Sequence, residues 1–235
     1  MKIGAFIEEM ERVAPSGMAE EFDAGKIGLI VEGGTEIGTI CCALDATPYV
    51  VQQAARLGAD MLVVHHTPIW NPLTAISGRT AEILRLLLAS GMNLYVMHTN
   101  FDRAEGGVND VVCRLLSLTD IRRMSLGNVG KCTLSPAQIA DRLSCSLRIW
   151  GDLHSISPLA VVAGSGFDAS LIEEAAGFGA KAFLSSEMKH SVARTAPLPC
   201  LEATHYGLEA PAMRELAQGR GWTYIDDPPV LRPVL

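Results

Sequence analysis

Five of the six histidines in this chain stand just past an apolar run that reads as a β-strand. Val63-Val64 is followed by His65-His66, and Val96-Met97 by His98-Thr99-Asn100-Phe101-Asp102. Phe183-Leu184 is followed by Ser185-Ser186-Glu187-Met188-Lys189-His190, and Leu201-Glu202-Ala203 by Thr204-His205-Tyr206-Gly207-Leu208-Glu209. In an open α/β sheet the carboxyl ends of the strands form the ligand crevice. Imidazole with carboxylate is the donor set of a borderline divalent ion such as Zn, Fe, Mn, Ni or Co. His65 and His66 are adjacent, so on a turning strand end they can present one imidazole to each of two ions. The competing reading is a core histidine bonded to a carbonyl. His98 and Asp102 are four apart, with Asn100 between them as a candidate cap of the following turn. His205 and Glu209 are also four apart. Pro211 belongs in the first turn of a helix, so that helix is expected to start near Leu208. His205 would then lie just before it and Glu209 in its first turn. A carboxylate there could bridge two metals, and the helix N-terminus favours it even without a metal. Glu187, Lys189 and His190 form a third polar group, suited to acid–base or substrate-anchoring work or to a solvated loop. Gly164-Ser165-Gly166-Phe167-Asp168 could cradle a phosphate. It lacks dinucleotide or P-loop spacing, and a tight turn is the simpler reading. His154 follows no clear strand and reads as surface.

The elements that must position these groups alternate between strand and helix. Residues 6–14 carry apolar positions at helical spacing and stop at Pro15-Ser16-Gly17. Strands are expected at 27–31, 38–44, 61–64, 94–97, 159–163, 182–184, 199–203 and 222–225. Helices are expected at 48–57, 79–89, 108–118, 136–143, 169–176 and 211–219. Thr47 with Pro48, and Ser135 with Pro136, read as N-cap and first helical residue. The strands are continuously apolar rather than alternating, which predicts an α/β protein with largely parallel or mixed sheet covered on both faces. The loosely patterned stretch 117–133 is the expected lobe boundary. This places one α/β lobe at 1–118 and a second at 119–235, with the segment of His205 and Glu209 returning to a shared site.

Length and composition bound the rest. The chain has 235 residues, 49% hydrophobic and only 6% aromatic, so its core must be aliphatic. One large domain or two small lobes fit that length. The net charge is −7, which disfavours a counterion-release grip on nucleic acid. Six scattered cysteines, none in a C-x-x-C pair, read as buried or free thiols of a reducing compartment. Neither a charged-then-apolar leader nor an 18-residue apolar run is present, so a cytoplasmic location off the membrane is expected. There is no G-x-S-x-G elbow.

Taken in order, the motifs resemble those of the dinuclear-metal family of NGG-interacting-factor-three-like proteins, also named GTP cyclohydrolase I type 2 homologs. The resemblance lies in 61–70 with its double histidine, in 96–102 with the following Gly106-Gly107-Val108-Asn109-Asp110, in Glu187-Met188-Lys189-His190 and in His205-Tyr206-Gly207-Leu208-Glu209. Segments 22–33 and 43–47 also fit, and the likeness runs from about Pro15 to Leu216. It implies two α/β lobes with a two-metal site between them. His65, His66, Asp102, His205 and Glu209 would be the ligands, Glu209 bridging, with His98 close by. It implies a toroidal homohexamer as well. Thr67 stands before Pro68, and Ser191 follows His190, where the family more often has proline and a second histidine. The activity implied is a metal-dependent, GTP cyclohydrolase-like hydrolysis of a small molecule, a nucleotide among the candidates. His98, His190 and Glu187 would serve acid–base chemistry, and Lys189 would offset phosphate charge. The alternative is a non-enzymatic metal-binding or regulatory protein of metallochaperone type.

Overall fold

The computed structural model describes residues 1–231. They form two compact units, each with its own sheet and core: residues 1–104 together with 213–231, and residues 105–212.

In the first unit, α1 (Ile3–Val13) precedes β1 (Gly28–Val31) and β2 (Ile40–Asp45). Then follow α2 (Pro48–Arg56), β3 (Met61–His66), α3 (Gly78–Ser90), β4 (Asn93–Val96) and the short α4 (Thr99–Arg103). The strand order is β1-β4-β3-β2, with a late strand β11 (Thr223–Tyr224) at the far edge. β11, β2, β3 and β4 are mutually parallel, and only edge strand β1 is antiparallel. The sheet is therefore mixed. Its strands are apolar on both faces because helices cover both faces. The core joins Leu62, Val64, Leu94 and Val96 of the strands to Val50, Val51, Ala54, Ile83, Leu84 and Leu87 of α2 and α3. As expected, Thr47 caps α2 by accepting the Val50 N–H at 3.1 Å, with Pro48 at the first helical position. Gly91 closes α3 at φ +65°, where a side chain would be strained.

The second unit holds α5 (Val108–Leu115), β5 (Thr119–Arg123), β6 (Asn128–Lys131), α6 (Pro136–Leu143), β7 (Arg148–Trp150) and β8 (Leu159–Val161). α7 (Ala169–Gly177), β9 (Ala182–Ser185), α8 (His190–Thr195) and β10 (Cys200–Glu202) complete it. Its sheet runs β5-β6-β8-β9-β10-β7. β8, β9 and β10 are parallel at the centre, and the flanking strands are antiparallel. Ser135 and Gln138 form a reciprocal capping box on α6.

Two expectations are corrected. The boundary lies at 104/105, not within 117–133, and the chain returns to the first unit at Met213. The reason is that the stretch 117–133 is itself a strand pair, β5–β6, at the edge of the second sheet. α5 belongs with it: its Asn109 Oδ1 accepts the Ala163 N–H at 2.8 Å just past β8. The last helix, α9 (His205–Arg220), starts at His205 rather than near Leu208, with Pro211 inside it. Thr204 supplies the cap that the proline rule overlooked: its Oγ1 accepts the Gly207 N–H at 3.1 Å. The proline lies within the second turn of this helix.

Candidate metal centre

Sheet register brings the first set of donors together. β2 and β3 pair with Asp45 opposite His66, and β3 and β4 pair with Val64 opposite Val96. Asp45, His66 and His98 therefore emerge side by side at the carboxyl ends of three neighbouring parallel strands. The rings of His65 and His66 lie 4.9 Å apart, His65 and His98 5.0 Å, and His66 and His98 5.6 Å. One nitrogen from each of the three lies within 4.8 Å of the others, a spacing able to hold a metal ion. Asp102, on α4, reaches the same group. Its Oδ1 lies 3.5 Å from His65 Nε2, long for a hydrogen bond of about 2.7–3.2 Å.

Two carboxylates fix this cluster from behind. Asp45 Oδ1 is 2.8 Å from His66 Nδ1, so ligation by His66 would use Nε2. Asp23 is fully buried, and both of its oxygens lie 2.9 Å from His98 Nδ1. It also accepts the Thr99 N–H at 3.1 Å and the Thr99 hydroxyl at 2.5 Å. Burial pushes the Asp23 carboxyl up, but the bonds from His98 and Thr99 outweigh it and hold the group below the ordinary aspartate value. Such a carboxylate behind an imidazole sets the tautomer and ring orientation of a metal-binding histidine. Asn100 does not cap the turn ahead. Its side chain turns back, accepting the His98 N–H at 2.8 Å and donating to Ala14 O at 2.7 Å, and so pins the backbone at His98.

The second unit builds its donors the same way. Val161, Leu184 and Leu201 are in register on β8, β9 and β10, so Gly164, Glu187 and Thr204 each stand three residues beyond that level. His205 and Glu209, one turn apart on α9, share a face, with Nε2 2.8 Å from Oε2. Glu187 Oε1 lies 2.8 Å from His205 Nδ1. A neutral imidazole has one donor and one acceptor nitrogen. Carboxylate oxygens at both nitrogens therefore call for an added proton or a shared cation. Glu187 makes its contact from a left-handed backbone, φ +62°, a conformation costly for a residue with a Cβ. Gly164, at φ +72°, leaves the space the carboxylate uses: a Cβ there would stand 2.3 Å from Glu209 Oε1.

The Gly164-Ser165-Gly166 turn is not an anion cradle. Gly166 N–H already donates to Ser185 Oγ at 2.9 Å, and the hydroxyls of Ser185 and Ser186 donate to Gly164 O at 3.0 and 2.7 Å. It is a tight turn clamped by two buried serines. Lys189 and His190 are exposed at the start of α8, and His154 is exposed as expected. Asp23 and the roles of Asp45 and Glu187 behind the histidines were not anticipated. An aspartate opposite a histidine in parallel register is the signal that would have found Asp45.

A family model described as Duf34/NIF3 (NGG1p interacting factor 3) matches residues 1–219. The chain belongs to this family. A Pyrococcus abyssi relative named GTP cyclohydrolase 1 type 2 homolog is 34% identical over 212 residues, 83% of this chain and 84% of that protein. A Streptomyces coelicolor protein of the same name is 28% identical over 255 residues, 94% of this chain and 88% of its own length. Among solved structures, protein ybgI, described as of unknown function, superposes with a TM-score of 0.88 at 28% identity, covering 97% of this chain and 99% of that one. Reduced HcgD from Methanocaldococcus jannaschii superposes with a TM-score of 0.81 at 26% identity, covering 95% and 96%. The mixed α/β fold of this NIF3 chain is therefore that of its family. Its clustered histidines and carboxylates form groups that could bind a metal ion. No helix among the described residues is long and apolar enough to cross a membrane.

Proposed function

We propose that this protein binds two divalent cations through His65, His66, Asp102, His205 and Glu209, and uses them as a metal-dependent hydrolase of a small molecule. The observation that carries the reading is the gathering of His65, His66 and His98, whose ring nitrogens lie within 4.8 Å of one another, with Asp102 Oδ1 3.5 Å from His65 Nε2 and a carboxylate behind His66. The two-carboxylate setting of His205 adds to it. Residues held from behind in this way lose little freedom on binding a cation. Zn, Fe, Mn, Ni or Co fits such a donor set. A bound cation would lower the pKa of a coordinated water toward ~7 and would offset developing oxyanion charge.

The chain's own residues supply the rest. Asp45, Asp23 and Glu187 orient His66, His98 and His205. His98, with Nδ1 engaged by Asp23, offers Nε2 as the atom that takes or gives a proton. His190 serves as a second proton carrier, and Lys189 balances substrate phosphate. The names of the relatives support a GTP cyclohydrolase-like reaction, in which water attacks the imidazole ring carbon of guanine and the ring opens. Assembly into a homohexamer is part of the same proposal.

Elemental analysis of the untagged protein, combined with a nucleotide turnover screen, tests the reading. About two metal ions per chain and metal-dependent turnover are expected. Glu209→Ala is expected to lose metal while staying folded, and unchanged metal content removes Glu209 from the site. Bound metal with no turnover of any nucleotide or phosphoester favours a metallochaperone-like binder. Light scattering of the same sample tests the hexamer.

A further inference from the structure

Beside His98 the first unit exposes two aromatic rings and a cation. Trp70 is 45% exposed and Phe22 52%, and their ring centroids lie 6.2 Å apart. Trp70 meets the His98 ring edge-on at 5.6 Å, and Phe22 lies 6.3 Å from the same ring. Lys26 Nζ stands 4.2 Å from the centroid of Trp70 and 6.0 Å from that of Phe22.

Scattered exposed apolar residues are ordinary on a protein surface. These two differ in being in contact with each other and with a candidate metal-site histidine. They are also tied to it through the chain. Phe22 precedes Asp23, the carboxylate behind His98, and Trp70 lies four residues past His66 on the exit of β3. The other tryptophans, Trp150 and Trp222, are partly buried under the guanidinium groups of Arg148 and Arg220. Lys26 forms no ion pair among the described residues. Held over the Trp70 ring, its charge can meet an anion, while the exposed parts of Phe22 and Trp70 offer aromatic surface.

We propose that Phe22, Trp70 and Lys26 form the substrate-docking rim of the candidate metal centre, binding a planar heteroaromatic ring that carries a phosphate. The rings pack against the heterocycle, and Lys26 pairs with the anion. This rests on the reading of the centre as a hydrolytic site for a nucleotide, and it adds which residues dock the ring and its phosphate. Because the rim is built from one unit's own side chains, its binding can be measured with metal-free as well as metal-loaded protein.

Titration calorimetry with guanosine monophosphate, guanosine and ribose 5-phosphate separates the contributions of ring and anion. Trp70→Ala is expected to weaken guanosine monophosphate binding roughly 5- to 100-fold with metal content unchanged, in the range of one lost base–aromatic stack. Trp70→Phe is expected to recover most of that loss. Lys26→Met is expected to weaken both phosphate-bearing probes and to leave guanosine within about twofold, the pattern of a charge contact. Equal binding of guanosine monophosphate by parent and Trp70→Ala overturns the proposal, as does an absence of binding by the parent at millimolar probe. Unchanged nucleotide binding with an altered assembly mass in Trp70→Ala overturns it too, and makes the patch a contact between copies of the chain. A parent that binds the nucleotide through Trp70 yet holds no metal keeps the rim and ends the hydrolase reading. A parent that turns over nucleotide with metal, indifferent to Trp70, does the reverse.

Discussion

The two units solve one problem with different chemistry. Both place donors just past the carboxyl ends of three in-register parallel strands, and both fix an imidazole from behind with a carboxylate. In the first unit the candidate donors are mainly imidazole nitrogen, with three rings gathered within 4.9 to 5.6 Å, and the carboxylate behind His98 is fully buried. In the second a single imidazole is flanked by two carboxylates, and strain is stored in the backbone at Glu187. The first is rigid through buried hydrogen bonds, the second through tight backbone fit. Imidazole nitrogen and carboxylate oxygen are both donor types that a borderline divalent ion accepts.

If buried hydrogen bonding holds the first unit, its largest break is at Asp23. Asp23→Ala leaves His98 Nδ1, Thr99 N–H and the Thr99 hydroxyl without their acceptor. Removing one partner of such a buried charged network costs about 3 kcal/mol. Urea unfolding is expected to show that loss, with hydrogen exchange accelerated in β3 and β4 but not in β8 to β10. A uniform acceleration across both sheets would break the comparison. If backbone fit holds the second unit, Gly164→Ala is its counterpart. The added Cβ meets Glu209 Oε1 at 2.3 Å and must adopt φ +72°, at a cost of about 2 kcal/mol. It is expected to lower metal content as well as stability, measured by elemental analysis and thermal unfolding. A stable variant with full metal content removes Glu209 from the metal set.

The orienting carboxylates sharpen the comparison at a smaller scale. Asp45→Asn and Glu187→Gln keep side-chain size but weaken the hold on His66 and His205. Each is expected to reduce metal affinity about tenfold, in the range usual for partners behind a ligand, with little change in unfolding. Competition against a chelator reads the effect. Equal affinity in the Glu187→Gln protein would mean that backbone strain at that position serves the turn and not His205.

Much of this architecture was legible because strand ends and caps are local. Val63-Val64-His65-His66 and Thr47-Pro48 carry their meaning within a few residues. What was missed depends on distant partners. Asp23 sits on a short 3-10 turn without periodicity and acts on residues 75 and 76 positions away. β5, with the sequence Thr119-Asp120-Ile121-Arg122-Arg123, is exposed throughout. Its apolar content does not announce it, so the sequence reads as a linker where the structure has the β5–β6 pair. α9 begins early because Thr204 offers a capping hydroxyl, a local signal that the proline seven residues on obscured.

The smallest effect concerns a carboxylate with no part in the metal chemistry. Asp168 caps α7, its Oδ1 accepting the Ser170 N–H at 2.9 Å and the Ser170 hydroxyl at 2.5 Å. The bond from the Ser170 hydroxyl, then that from its N–H, holds the Asp168 carboxyl below its ordinary value of 3.8. The depressed folded-state value means that its stabilisation is fully present above about pH 4 and is lost as pH falls through the lowered folded value. Asp168→Ala is expected to cost about 1 kcal/mol at neutral pH, the usual loss of an N-cap. That difference should shrink toward zero in acid as the parent's carboxyl is protonated. Unfolding curves of the two proteins at pH 7 and pH 3 test this. Because the residue lies among no metal donors, the difference should also be the same with and without chelator, whereas that of Gly164→Ala should not.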